Sequence, residues 1–214
     1  MIRIQNFHEH IQKHPRIADA FEYFQTAEKG YYEKEENGTE RYKNALSNFI
    51  HGAFRSTENP ETITTCGNLL LRTANIEDYQ FINEAERDED CKSWVNNWHL
   101  CTRIEKFGDN NFLQTIIETN NRRIGFIDFR DMLHNTQVEL KRIVITERGK
   151  GYGKEAMYLS QKFAFEILNR NRLHLGTKVE NLRAQHLYHA TGFKLVNPEH
   201  IAYFHMLKED YAND

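Results

Sequence analysis

The residues best suited to chemistry form a glycine-rich turn that follows an apolar strand end and precedes a long helical segment. The strand end is Ile143, Val144 and Ile145, and a helical pattern runs from about Lys154 to Arg170. Between them lies a basic, glycine-rich turn that contains Arg148, Gly149, Lys150, Gly151, Tyr152 and Gly153. A helix N-terminus presents backbone N–H groups and a partial positive charge to anions, and glycine lets a phosphate approach the main chain. The pattern predicts a phosphate-binding turn.

The spacing of the glycines differs from that of two widespread phosphate loops. A P-loop has four residues between its first glycine and Gly-Lys-Ser/Thr, and this arrangement is absent here. The dinucleotide fingerprint is G-x-G-x-x-G, whereas the glycines here run G-x-G-x-G. A flexible surface turn explains the glycines alone equally well, so a second motif has to decide between the two interpretations.

A second motif lies downstream of a predicted strand at residues 173–179. It consists of Asn181, the pair Leu187-Tyr188 and the pair Gly192-Phe193. In this order, the two motifs resemble those of the GNAT superfamily of acyl-CoA N-acyltransferases, whose coenzyme motif reads Gln/Arg-x-x-Gly-x-Gly/Ala. The nearest resemblance is to the ribosomal-protein N-terminal and spermidine acetyltransferases. It extends back to Asn68 and covers roughly two thirds of the chain.

The resemblance implies an α/β fold in which a mixed, mostly antiparallel central sheet is flanked by helices on both faces. It also implies an N-acetyltransferase with acetyl-CoA as cosubstrate and no metal. The acceptor would be a primary amine of a small molecule or a protein N-terminus, which attacks the thioester directly in a ternary complex. A non-catalytic acyl-CoA-binding regulatory protein is the alternative, and a toxin that acetylates aminoacyl-tRNA is a third hypothesis.

In the resembling family, the glycine turn holds the coenzyme pyrophosphate, which here implicates residues 148–154. The side chain of Arg148 has a second interpretation as a solvated turn charge, because this position often contributes mainly through its main chain. N–H groups at the strand end, residues 143–145, would stabilise the thioester oxygen, since that strand separates from its neighbour in the family. Many members of the family carry a proline after this strand, and this chain does not. The residue whose N–H group donates to the thioester oxygen is therefore uncertain by one position.

Two residues of the downstream motif have predicted roles at the coenzyme. Tyr188 is the candidate acid that protonates the departing thiolate, and a packed aromatic residue is the competing interpretation. Asn181 is predicted to donate to the pantetheine arm or to order the following helix, and asparagine is also a good N-cap. The two interpretations of Asn181 are compatible.

The candidate base that deprotonates the amine is Glu139, on the strand that leads into the glycine turn. Strand alternation places it on the opposite face from Val138 and Leu140. Carboxylates at this place act as bases in several resembling enzymes, and a solvent-facing glutamate is the competing interpretation. Three weaker alternatives lie on or after the preceding strand: Asp128, Asp131 and His134.

Composition narrows the class of protein. The net charge of −3 favours neither nucleic acid nor anionic lipid as a partner and counts against the tRNA-acetylating hypothesis. No apolar run is long enough for a membrane span, and the N-terminus lacks a signal-peptide core. The three cysteines, Cys66, Cys91 and Cys101, are odd in number and lack metal-ligand spacing, which predicts free thiols and a cytoplasmic location.

The sequence before residue 61 predicts a helical hairpin that precedes the acetyltransferase domain of residues 61–214. Two apolar stripes with helical spacing lie on either side of Asn37-Gly38; they contain Ile17, Phe21, Phe24, Ala27 and Tyr31, and then Tyr42, Leu46, Phe49, Ile50 and Ala53. Such stripes must be buried. The hairpin is therefore expected to dock on the domain, or on a second copy of the chain in a homodimer. Trp94 and Trp98 are interpreted as packing residues near the acceptor pocket.

Overall fold

The structure is a computed structural model that describes residues 4–32, 37–55, 60–95, 98, 100–106 and 109–212. Its strands are β1 Thr62–Cys66, β2 Leu69–Thr73, β3 Phe112–Thr119, β4 Arg122–Arg130, β5 Gln137–Ile145, β6 Arg172–Lys178, β7 Lys194–Pro198 and β8 Ile201–Leu207. Its helices are α1 Ile4–Lys13, α2 Pro15–Tyr32, α3 Gly38–Arg55, α4 Tyr79–Arg87, α5 Leu100–Lys106, α6 Tyr152–Lys162, α7 Leu182–His189 and α8 Lys208–Tyr211.

The strands form one eight-stranded sheet in the order β1-β2-β3-β4-β5-β6-β8-β7. Neighbouring strands are antiparallel except for β5 and β6, which are parallel and joined by α6. Helices pack on both faces, so the mixed, mostly antiparallel α/β fold expected from the sequence is confirmed. The two strands at the sheet edges, β1 and β7, were not expected from the sequence, because β1 has only one buried residue and β7 is exposed along its length.

Each face of the sheet has its own hydrophobic core. On one face, α6 and α7 pack over a cluster that includes Phe129, Leu140 and Phe204. On the other face, the second cluster joins the N-terminal helices to α4, α5 and the sheet. Ile143 and Ile145 pack against the first cluster, whereas Val144 belongs to the second. Side chains at the end of β5 therefore alternate between the two hydrophobic clusters.

In residues 4–32 and 37–55, the described part of the N-terminal segment, the structure contains three helices where the sequence predicted a hairpin of two. The additional break lies between α1 and α2, where Pro15 is the first residue of α2. Proline lacks an N–H group and suits the first position of a helix, so it starts a new helix there. The domain boundary near residue 60 stays a prediction.

These helices dock on the α/β part of the same chain. Phe24 is fully buried and its ring centroid lies 5.2 Å from that of Phe49 within the cluster that contains Ile82 of α4 and Ile104 of α5. The Asn83 side-chain amide of α4 donates to the Tyr23 hydroxyl at 2.5 Å. The N-terminal helices thus form an outer layer over α4 and α5. In the described part of the chain, no helix is both long and apolar enough to cross a bilayer.

Candidate active site

The candidate site lies where β5 and β6 separate. The parallel ladder pairs β5 with β6 from Gln137 to Leu140 and stops at the pair of Leu140 with Leu175. β5 continues to Ile145, and its pairing with β4 shifts register next to Lys141. Such an extra residue bends a strand and increases its twist. The bend therefore opens a gap in the sheet beside the last five residues of β5, residues 141–145.

Main-chain hydrogen bonding determines which N–H groups face this gap. The Thr146 N–H donates to the Ile124 oxygen of β4 at 2.8 Å. Hydrogen-bonded and non-hydrogen-bonded pairs alternate along an antiparallel ladder, so the N–H of Val144 also points to β4. The N–H groups of Ile143 and Ile145 consequently point away from β4, towards the gap. These are two of the three strand-end positions that the sequence predicted as oxyanion donors.

The glycine turn closes one end of the gap and leads into α6. Gly149 and Gly151 have positive φ values of 74° and 80°, a conformation that other residues adopt only with strain. A Cβ atom on either glycine would meet no heavy atom within 4 Å. Gly151 caps α6, and its oxygen accepts from the Lys154 N–H at 3.0 Å, so the N–H groups of Tyr152 and Gly153 are the ones that lack intrahelical acceptors. The turn therefore presents main-chain donors to an open space.

A cleft of about 640 Å³ occupies the gap, a volume typical of small-molecule sites. One wall comes from the sequence-predicted residues of β5 and the turn: Ile143, Val144, Ile145, Arg148, Gly149, Gly151, Tyr152, Gly153 and Lys154. The opposite wall is α7 with its N-cap, including Asn181, Leu187 and Tyr188. The structure thus places both sequence motifs at one cleft.

Tyr188 lies on the α7 wall and is 6% exposed. Its ring centroid lies 5.4 Å from that of Phe204 and 6.3 Å from that of Phe193. Burial raises the pKa of Tyr188 to about 12, so its hydroxyl is protonated at neutral pH. The ring is held by packing, while the residue borders the cleft as a proton donor should.

Asn181 is the N-cap of α7. Its Oδ1 accepts from the Ala184 N–H at 3.2 Å and its Nδ2 donates to the Thr177 hydroxyl at 3.1 Å. These bonds fix the start of α7 relative to the end of β6. The helix-ordering role expected from the sequence is present, and the contact of Asn181 with the pantetheine arm stays a prediction.

The basic side chains of the turn differ in their surroundings. Lys150 is ion-paired with Glu147 at 2.7 Å, and Lys154 Nζ lies 5.7 Å from the ring centroid of Tyr158. Arg148 is ion-paired with Asp88, at 3.4 Å, and with Asp90. The main chain of Arg148 belongs to the turn, while its side chain contacts the segment after α4. Phosphate binding by these side chains stays a prediction.

The structure does not bring Glu139 to the cleft. Glu139 is buried near the start of β5, beside His174 of β6, and is ion-paired with Arg130 and with Lys141 at 3.5 Å. Four residues separate it from Ile143, which corresponds to about 13 Å along a strand. Its assignment as the base stays a prediction that this placement does not favour.

The alternative bases are also engaged elsewhere. Asp128 is fully buried, and Asp131 lies 3.7 Å from His174. His134 lies in the loop after β4, where its Nδ1 accepts from the Thr136 N–H at 3.1 Å. None of the three borders the cleft in the described part of the chain.

A buried charge cluster under the gap was missed by the sequence interpretation. Arg103 pairs with Glu86 at 2.7 Å and with Asp128 at 3.1 Å, and Arg142 pairs with the same Glu86 at 3.2 Å. The Trp98 ring stacks on Arg142, with 3.5 Å between the ring centroid and Cζ. Burial raises the pKa of Glu86. The cluster anchors Arg142, which directly precedes Ile143. The residues of the cluster are too far apart in the sequence to be recognised as a motif.

The family follows from the chain's similarity to known proteins. Residues 68–194 match the acetyltransferase (GNAT) domain family, which is more than half of the 214 residues. The chain belongs to this family. The three N-terminal helices lie before the matched residues. An N-acetyltransferase 9-like protein of Nematostella vectensis is 27% identical over 126 residues, which are 57% of this chain and 63% of that protein.

Solved structures share the fold of this GNAT domain. Spermidine N-acetyltransferase of Vibrio cholerae, in complex with CoA and spermine, has a TM-score of 0.59 and 22% identity and covers 68% of this chain and 99% of its own. A dodecameric structure of the Vibrio cholerae enzyme has a TM-score of 0.56 and 22% identity over 68% of this chain and 97% of its own. At this identity, the likeness shows the fold.

Proposed function

We propose that the protein is an N-acetyltransferase that transfers the acetyl group of acetyl-CoA to a primary amine of a small molecule or a protein N-terminus. The observation that carries this proposal is the gap between β5 and β6, which joins main-chain donors, the glycine turn and Tyr188 in one cleft. Acetyl-CoA would supply the thioester that the amine attacks directly in a ternary complex.

The residues of the cleft fit such a cosubstrate. The open space above Gly149 and Gly151 leaves room for a pyrophosphate against the first N–H groups of α6. The N–H groups of Ile143 and Ile145 would donate to the carbonyl oxygen as it gains charge, in a fixed orientation that requires little reorganisation. Tyr188 would hold the proton that the thiolate receives.

The acceptor would approach from the sheet face opposite α6 and α7. On that face the cleft is bordered by Cys91, Val95 and Val144, which pack with the second hydrophobic cluster. This arrangement would let coenzyme and amine reach the gap from different faces and meet in the close alignment that direct transfer requires. Cytoplasmic location and assembly into a homodimer remain parts of the proposal.

One observation favours a second candidate function. Glu139 lies outside the cleft and is ion-paired with Arg130 and Lys141. A protein that binds acyl-CoA without catalysing transfer would need the glycine turn but no base. Turnover with an added amine distinguishes the two functions.

We expect a thiol-release screen with acetyl-CoA to identify a productive amine among peptides, polyamines and aminoglycosides. Acetylated product, confirmed by mass spectrometry, would support the proposal. The Gly151→Val variant serves as the control, since thiol release by the same cleft should be lost with coenzyme binding. Coenzyme binding without turnover on any panel would favour the regulatory protein instead.

A further inference from the structure

The segment of residues 88–95, here called the strap, connects the ends of the two separating strands. At one side of the cleft, Asp88 and Asp90 are ion-paired with Arg148, which follows β5. At the other side, Nζ of Lys178, the last residue of β6, donates to the Ser93 main-chain oxygen at 2.8 Å. The strap therefore spans the gap that the loss of β5–β6 pairing opens.

The strap also forms part of the cleft wall. Asp90, Cys91, Trp94 and Val95 border the cleft, and Trp94 is 42% exposed. Cys91 Sγ lies 3.4 Å from Nη2 of Arg148. Any movement of the strap thus changes the side of the cleft where the acceptor is proposed to enter.

The main chain and the side chain of Arg148 have different surroundings. Its main chain lies next to Gly149 in the turn that is proposed to hold the pyrophosphate, while its guanidinium holds the strap. A ligand that fixes the turn should therefore also fix the strap. Because such coupling is reciprocal, fixing the strap should raise the affinity of the turn for that ligand by the same factor.

The geometry points to Arg148 as a positioning residue that couples the coenzyme turn to the acceptor side of the cleft. This coupling depends on the proposed coenzyme site. Coenzyme on the turn restrains Arg148, Arg148 restrains Asp88 and Asp90, and the strap then presents Trp94 to the cleft in one arrangement. The side chain of Arg148 acts on the acceptor side rather than on phosphate.

The ion pairs between Arg148 and the strap are exposed, and therefore weak enough to form and break as such a coupling needs. The side chains of Arg148, Asp88 and Asp90 are 26%, 55% and 68% exposed. Exposed pairs are weak and screened by salt, so the strap can be released and its coupling should disappear at high ionic strength. Two such pairs correspond to an effect of about threefold at low salt.

The test compares the full-length protein with the double variant Asp88→Asn/Asp90→Asn, using CoA alone as the probe. In the unaltered protein, CoA should slow amide hydrogen exchange in residues 88–95. In the double variant, we expect this slowing to be lost and the affinity for CoA to fall about threefold at low salt, with no difference at high salt. Hydrogen exchange and binding do not require the acceptor to be known.

Glu89→Gln is the matched control, because Glu89 pairs with Lys92 at 2.6 Å within the strap and does not contact Arg148. It removes one carboxylate from the same segment and should leave both readouts unchanged. Tighter CoA binding by the double variant would overturn the inference, since it would mean that the acids compete with phosphate for Arg148. Unchanged exchange and affinity would overturn it too. Failure of the unaltered protein to bind CoA would instead refute the coenzyme site itself.

Discussion

Removal of residues 1–60 is expected to leave a protein that aggregates or melts at a much lower temperature. The cluster between the N-terminal helices and the domain contains eight buried residues from α1 to α3: Phe7, Ile17, Ala20, Phe24, Ala45, Phe49, Ile50 and Ala53. Their removal uncovers Ile76, Tyr79, Ile82 and Ile104, which are at most 2% exposed. Burial of a large apolar side chain contributes about 1.5–3 kcal/mol, and a domain is stable by only about 5–15 kcal/mol.

Solubility, melting temperature and binding of a hydrophobic dye measure the effect of this truncation. A milder variant, Phe24→Ala, keeps the helices and should lower the free energy of unfolding by about 3–5 kcal/mol. Gln25→Ala, at the exposed next position, should change it by less than about 0.5 kcal/mol. A truncated monomer with unchanged melting temperature and activity would show that the segment is an independent appendage.

Tyr188→Phe is expected to reduce turnover by about a hundredfold or more, the usual contribution of a general acid. The change removes one hydroxyl and keeps the ring that packs against Phe193 and Phe204. Stability and the affinity for acetyl-CoA should therefore change little. Steady-state and single-turnover kinetics with the amine found in the screen would measure the effect.

Tyr158→Phe is the matched control, because Tyr158 lies on α6, is 38% exposed and does not border the cleft. Since burial raises the pKa of Tyr188 to about 12, the acid should stay protonated well above the ordinary tyrosine value of about 10. We therefore expect no loss of activity from its ionisation between neutral pH and about pH 10. If Tyr188→Phe retained the full rate while chemistry limits turnover, Tyr188 would be a packing residue only.

The parts of the fold predicted best are those whose sequence pattern is local. The predicted strand at residues 173–179 lies within one residue of β6, and the predicted strand end at residues 143–145 is the end of β5. Asparagine is a preferred N-cap residue, and Asn75 caps the 3-10 turn before α4. Short edge strands such as β7 have no apolar face to produce a pattern, and the break at Pro15 falls between two segments that both look helical.

The candidate site was predictable only in part, because its motifs are local and its ion pairs are not. The glycine turn and Tyr188 could be found from spacing, and the structure places both at the cleft. The pairing of Arg148 with Asp88 joins residues 60 positions apart, and no spacing rule indicates it. Glu139 has the right residue type on the right strand, but the register places it next to Arg130 and away from the gap.

Calorimetric titration with acetyl-CoA measures coenzyme binding at the glycine turn, on which the proposed function depends. We predict one site per chain in the unaltered protein and loss of binding in Gly151→Val, whose side chain would enter the open space above the turn. Gly67→Val is the control for backbone strain, since Gly67 also has a positive φ, 57°, but lies in the turn between β1 and β2, outside the cleft; it should bind normally. Absence of binding in the unaltered protein, or normal binding by Gly151→Val, would show that the glycine turn is not the coenzyme site.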